Sequence, residues 1–131
     1  MASRRSPELV AVFNRVREYV FPGNTKLRLL HCPKVVAEAP KTGKRRAYCH
    51  IGHWPETVCA DVLKMAALST NFTVGIFLHE LGHAMTPGGT EQDADRIIFE
   101  EFGIAILYRG GLKLEWVSDV DVLKIMGPIN H

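Results

Sequence analysis

A chain of 131 residues has the length of one domain, enough to bury a single hydrophobic core unaided. Hydrophobic residues at 47% and charged residues at 23% are ordinary for a globular protein, which excludes a fibrous or wholly disordered chain. The formal net charge of +2 is too small to argue for a nucleic-acid partner.

No apolar run approaches the ~18 residues that span a bilayer, so no membrane association is expected. The opening "MASRRSPELVAVF" carries only a short apolar stretch before Asn14, too little for a secretory signal. Cys32, Cys49 and Cys59 are odd in number and loosely spaced, which fits a reducing compartment better than a disulfide framework. A cytoplasmic location is the expectation. Basic residues cluster at Arg4-Arg5 and in "KTGKRR" (41–46). The second cluster follows Pro40 and surrounds Gly43, so it reads as a solvated turn.

In chain order, "SPELVAVFNRVREYVFPG" opens as a helix and places Leu9, Val12, Phe13, Val16 and Val20 at helical spacing before Pro22-Gly23 stops it. Residues 26–32 and 45–51 read as strands, the second with Ala47, Cys49 and Ile51 alternating against Arg46, Tyr48 and His50. Residues 57–63 form a third strand candidate. A helix is expected from about Asn71 to Met85, capped by Thr70 or Asn71. "TPGG" (86–89) breaks it, and Thr90 with Asp93 then caps a second helix predicted to run to Tyr108. "LKLEWV" (112–117) suggests a strand and "SDVDVLKIM" (118–126) a short helix. With no internal repeat or linker, residues 1–131 read as one α+β domain: an N-terminal helix, a small three- to four-stranded sheet, and two adjacent helices.

The chemistry concentrates in "FLHELGHAM" (77–85), where His79, Glu80 and His83 form H-E-x-x-H. On a helix His79 and His83 lie one turn apart on one face, with Cβ atoms ~6 Å apart, so both imidazoles can reach one cation. Glu80 lies ~100° round the helix from His79, beside such an ion rather than on it. A catalytic zinc site needs a third protein ligand, and "TEQDAD" supplies Glu91 and Asp95 one turn apart. The four-residue break sends the second helix back antiparallel, bringing Glu91 opposite His83 and Asp95 level with His79. Glu91 is then expected to complete the metal site and Asp95 to accept the outer ring N–H of His79. Asp95, Ile98, Phe102 and Ala105 follow at steps of three or four, turning the acidic end toward the interior. Acids at a helix start also suit the helix dipole, but the dipole does not explain their register with the histidines.

H-E-x-x-H followed by E-x-x-x-D on a second helix (His79, Glu80, His83, Glu91, Asp95) resembles the signature of the gluzincin metallopeptidases. The short His83–Glu91 step is similar to that of the very small gluzincins, and the E-x-x-A-D form followed by apolar residues also resembles the ImmA/IrrE-type metallopeptidases. The resemblance covers about residues 71–108 and implies a zincin-like fold, one Zn2+ ion, peptide-bond hydrolysis and a sheet whose edge strand lines the cleft. Metzincins require Gly and His where Thr86 and Gly89 stand. The aspzincin spacing falls on Ala94, one short of Asp95, which stays open as an alternative third ligand. "HIGH" (50–53) resembles a motif of class I aminoacyl-tRNA synthetases, but no Gly-rich phosphate loop opens a helix here.

The expected activity is hydrolysis of a peptide or protein substrate by a zinc-activated water, with Glu80 as general base. The substrate backbone is expected to pair with an exposed strand edge, 45–51 or 57–63. Spacing assigns no oxyanion donor; Tyr108, Arg109, His53 and His131 are candidates. The alternative is a zinc-binding regulatory or interaction module with little or no peptidase activity. A nucleic-acid binder using 41–46 is the weakest option.

Overall fold

The computed structural model describes residues 7–31, 49–51, 57–60, 65–109 and 114–127. The first element, α1 (Pro7–Val20), carries Glu8 in its first turn and Arg17 in its last, complementing the helix dipole. Leu9, Phe13, Val16 and Val20 recur every three or four residues and are buried, as their spacing predicts. The strand expected over 26–32 begins later, because the Asn24 side chain accepts the backbone N–H groups of Lys26 and Leu27 and holds them in a turn.

Three short strands form one sheet: β1 (Arg28–His31), β2 (Cys49–Ile51) and β3 (Thr57–Ala60), in the order β1-β3-β2. β3 pairs parallel with β1 and antiparallel with β2. It is therefore the central strand, and residues 57–60 have no open edge to offer a peptide. Residues 45–48 and 61–64, the rest of the expected strands, lie outside the described residues.

The next helix, α2 (Thr70–Met85), is the axis of the fold. Its cap is Ser69, whose side chain accepts from Phe72 N, one residue earlier than Thr70 and two before Asn71. Asn71 instead ties the helix start to the C-terminal part of the chain, donating from Nδ2 to Val117 O at 2.8 Å and to Asp119 at 2.9 Å. Residues 73 to 82 are buried in unbroken succession, so α2 is covered on every side rather than on one face. Phe13 of α1 meets Phe77 edge-on, with ring centroids 5.2 Å apart.

After the turn at 86–90 comes α3 (Glu91–Phe102), opened by the expected capping box: Thr90 Oγ1 accepts from Asp93 N, and Asp93 accepts from Thr90 N. The helix stops at Phe102, six residues short of the expected Tyr108. Gly103 adopts the left-handed conformation (φ 70°) and donates to Phe99 O, which closes the last turn. Ala105 therefore lies beyond the helix and is exposed rather than continuing its apolar stripe. Residues 107–109 form β4 (Leu107–Arg109), paired antiparallel with β5 (Leu114–Trp116). Among the described residues the strands thus make a three-stranded sheet, within the three to four strands expected, and a two-stranded ribbon formed by the later strands. The last element is α4 (Asp119–Met126), capped by Ser118.

Among the described residues, four α-helices and five strands make a small α+β fold, with α2 packed against α1, α3, α4, β2 and β5. No helix among them is long and apolar enough to cross a membrane.

Candidate metal centre

Two glycines let neighbouring backbones approach α2. A Cβ placed on Gly82 would lie 2.5 Å from the carbonyl oxygen of Ala94, so only glycine lets α3 lie this close. A Cβ on Gly75, one turn before His79, would lie 2.8 Å from Trp116 N of β5. α3 and β5 are thereby pressed onto α2 at the level of the H-E-x-x-H segment. The capping box and the turn at 86–90 set the register of Glu91 and Asp95.

His79 is only 3% exposed, so its two ring nitrogens need partners. Nδ1 lies 2.6 Å from Asp95 Oδ1, and a carboxylate can only accept, so Nδ1 carries the hydrogen. That leaves the lone pair of a neutral imidazole on Nε2, facing Glu91 Oε1 at 2.6 Å. His83 Nε2 stands 3.2 Å from His79 Nε2 and 3.2 Å from the same Glu91 oxygen. The rings meet at 90° with centroids 4.7 Å apart, an arrangement that aims both nitrogens at one point rather than stacking the rings.

Three lone-pair-bearing atoms pressed together this closely repel unless a proton or a cation lies between them. Their separations of 2.6, 3.2 and 3.2 Å are short enough for all three atoms to reach one cation at the usual ~2.0–2.1 Å. His79, His83 and Glu91 therefore form a group that could hold a metal ion, and the donor set of two imidazoles and one carboxylate suits zinc.

The electrostatics agree with the geometry. Burial pulls the His79 imidazole down, but the Asp95 hydrogen bond and the charges of Glu80, Asp95 and Glu115 together push it up to about 9. For Glu91, partial burial pulls upward and is outweighed by hydrogen bonds to His79 and His83, leaving its carboxyl below the ordinary range. Asp93 is lowered by the Thr90 backbone N–H and by Arg96, and it serves the cap rather than the cluster.

Glu80 is 7% exposed and lies beside His79. One of its carboxylate oxygens, a ring nitrogen of His79 and an oxygen of Glu115 all lie within 4.8 Å of one another. Glu115 escapes a reading of spacing alone, because it arrives from β5, far along the chain. The available signal was Gly75, a glycine inside a helical run one turn before a histidine, which marks the approach of another backbone.

Tyr108, a candidate oxyanion donor by sequence, turns its hydroxyl elsewhere: it donates to Asp95 Oδ2 at 2.6 Å, on the Nδ1 side of His79. Burial, that hydrogen bond and the surrounding carboxylates raise its pKa. His53, His131 and the Arg109 side chain lie outside the described residues. Comparison with protein-family models, with curated proteins and with solved structures finds no match for this chain.

Proposed function

We propose that the chain is a small zinc-dependent metallopeptidase with a gluzincin-type ligand set on a zincin-like fold. The observation that carries this reading is the convergence of His79 Nε2, His83 Nε2 and Glu91 Oε1, with Asp95 behind His79 on its other nitrogen. His79, His83 and Glu91 would hold one Zn2+ ion. Zinc bound there supplies Lewis acidity, polarising a carbonyl and making water more acidic.

The chain's own groups supply the rest. Asp95 keeps a hydrogen on His79 Nδ1, so that Nε2 is the nitrogen left to face an ion. Glu80, buried beside His79, takes a proton from the attacking water and returns it to the departing amine. Among the described residues β2 lies at an edge of the sheet and packs against α2, which makes it the candidate strand for a peptide substrate to pair with, whereas β3 is flanked on both sides.

One observation favours a second reading. The Tyr108 hydroxyl is engaged by Asp95 and does not face the metal side of His79. Loss of a single oxyanion donor slows acyl transfer by ~10²–10³. The same centre would then serve a zinc-binding regulatory or interaction module with little turnover.

The test is metal analysis of the purified wild type beside Glu91→Ala, with cleavage of a peptide library by wild type and Glu80→Gln. One zinc per wild-type chain, lost in Glu91→Ala, is expected. Glu80→Gln should keep zinc and lose at least ~10²-fold in cleavage. A wild type without zinc would overturn the metal reading. Zinc without chelator-sensitive cleavage would select the regulatory module.

A further inference from the structure

The β4–β5 ribbon faces the centre with a matched pair of side chains. Tyr108 on β4 is the direct cross-strand partner of Glu115 on β5, so both project from one face of the ribbon. Glu115 reaches the neighbourhood of His79 and Glu80, and Tyr108 reaches Asp95. The ribbon therefore bears on His79 from two directions, through Asp95 at Nδ1 and through the carboxylates around Glu80. It is firmly anchored for that purpose. Ile104 and Ile106, leading into β4, are buried, and Gly75 lets the β5 backbone rest directly on α2.

We propose that Tyr108 is a positioning residue of the metal centre: its hydroxyl locks the Asp95 carboxylate in the orientation that holds His79 toward the ion. The inference rests on the metal reading above and adds a residue to it. An aspartate held by one oxygen can swing about its terminal torsion, which is broad for Asp. Asp95 is held by both, Oδ1 by His79 and Oδ2 by Tyr108, each at 2.6 Å, and two bonds fix the plane of the carboxylate. That plane in turn fixes the tilt of the His79 ring and the aim of Nε2. With its side chain 21% exposed, Asp95 is open enough for water to compete for Oδ2. A tyrosine hydroxyl delivered by a rigid strand removes that competition.

Tyr108→Phe deletes the hydroxyl of a residue that is 45% exposed and keeps its ring, so the fold is retained, as far-UV circular dichroism will verify. Zinc affinity is measured on the full chain by competition with a chromophoric chelator, and ligand geometry by the visible spectrum of the Co2+-loaded protein. Loss of a direct carboxylate partner weakens a metal site by ~10–100-fold; acting one bond further out, Tyr108→Phe should weaken zinc binding by about 3- to 10-fold and shift the Co2+ bands. Placed in an Asp95→Ala background, the same substitution should change neither. Unchanged affinity and spectrum in Tyr108→Phe would overturn the proposal, as would an equal loss in both backgrounds. Tighter zinc binding would overturn it too, since the hydroxyl would then be draining charge from Asp95 rather than orienting it. A wild type that binds neither ion fails at the metal reading itself, before Tyr108 is reached.

Discussion

Gly82→Ala tests whether the centre depends on how closely α3 lies against α2. In an exposed helix this substitution stabilises by about 1 kcal/mol, because alanine is the better helix former. Here the new methyl would meet Ala94 O at 2.5 Å, its carbonyl carbon at 3.0 Å and its Cα at 3.2 Å. All three are backbone atoms, so no side chain can swing away. An ordinary methyl–oxygen contact needs the helices to part by about 0.9 Å, and overpacking of this kind costs ~1–3 kcal/mol. The net expectation is a loss of up to about 2 kcal/mol after the propensity gain is set against it. The larger effect should fall on the metal, because Glu91 and Asp95 ride on α3 while both histidines ride on α2. A displacement above the ~0.5 Å tolerance of a preorganised site should weaken zinc binding at least ~10-fold. Urea denaturation of the metal-free protein and chelator competition of the loaded protein measure the two parts separately. A Gly82→Ala variant that is more stable than wild type and binds zinc equally would refute the close-approach reasoning.

Two further outcomes follow from the same geometry. Thr90→Ala removes the acceptor of the Asp93 N–H and should destabilise the chain by about 1 kcal/mol in urea, with an unchanged midpoint counting against the cap. In the metal-free protein His79 is raised to about 9 from an unfolded value of 6.5, so its contribution is complete below pH 6.5 and disappears as pH rises through 9; Glu91 is lowered, so its contribution is present above about pH 4.5 and lost as pH falls below it. Thermal melts of wild type against His79→Gln should therefore differ most between about pH 4.5 and 6.5, with roughly 3 kcal/mol released toward pH 9. A difference that grows from pH 6.5 to 9 would contradict the protonated, Asp95-bound imidazole.

Local patterns carried most of the elements. The spacing of Leu9, Phe13, Val16 and Val20 belongs to an amphipathic helix, and Thr90 with Asp93 is a start signal with its mechanism written in the residues. What failed was the end of α3. Leu107 and Tyr108 continue a plausible helical run, but Gly103 takes a left-handed conformation and the chain pairs with residues 114–116 instead. A single glycine in a run is weak punctuation until its tertiary partner is known. Separating the strands into a sheet and a ribbon depends on non-local pairing, which periodicity does not encode. Of the site, the register of His79 with Asp95 and of His83 with Glu91 was legible, because it follows from helix pitch and a four-residue turn. Glu115 and the role of Tyr108 were not, since both reach the centre through the ribbon.

The centre, sealed at His79 and open at Glu91, also sets a charge problem that bears on its ligand. Glu80, Glu91, Asp95 and Glu115 gather around one imidazole that is nearly sealed from water, with His83 at the margin. In the metal-free chain a proton on His79 offsets one of these charges, which is why carboxylates that would otherwise repel raise its affinity for protons. Such a proton can bridge only one pair of the three converging atoms at a time. On the zinc reading, His79, His83 and Glu91 would hold a divalent cation together, and it would offset twice the charge of that proton. Proton and metal would then compete for His79 Nε2, with the same carboxylates favouring each. On the zinc reading proposed above, the surrounding carboxylates would favour a cation, and the two imidazole nitrogens would favour an ion that accepts nitrogen.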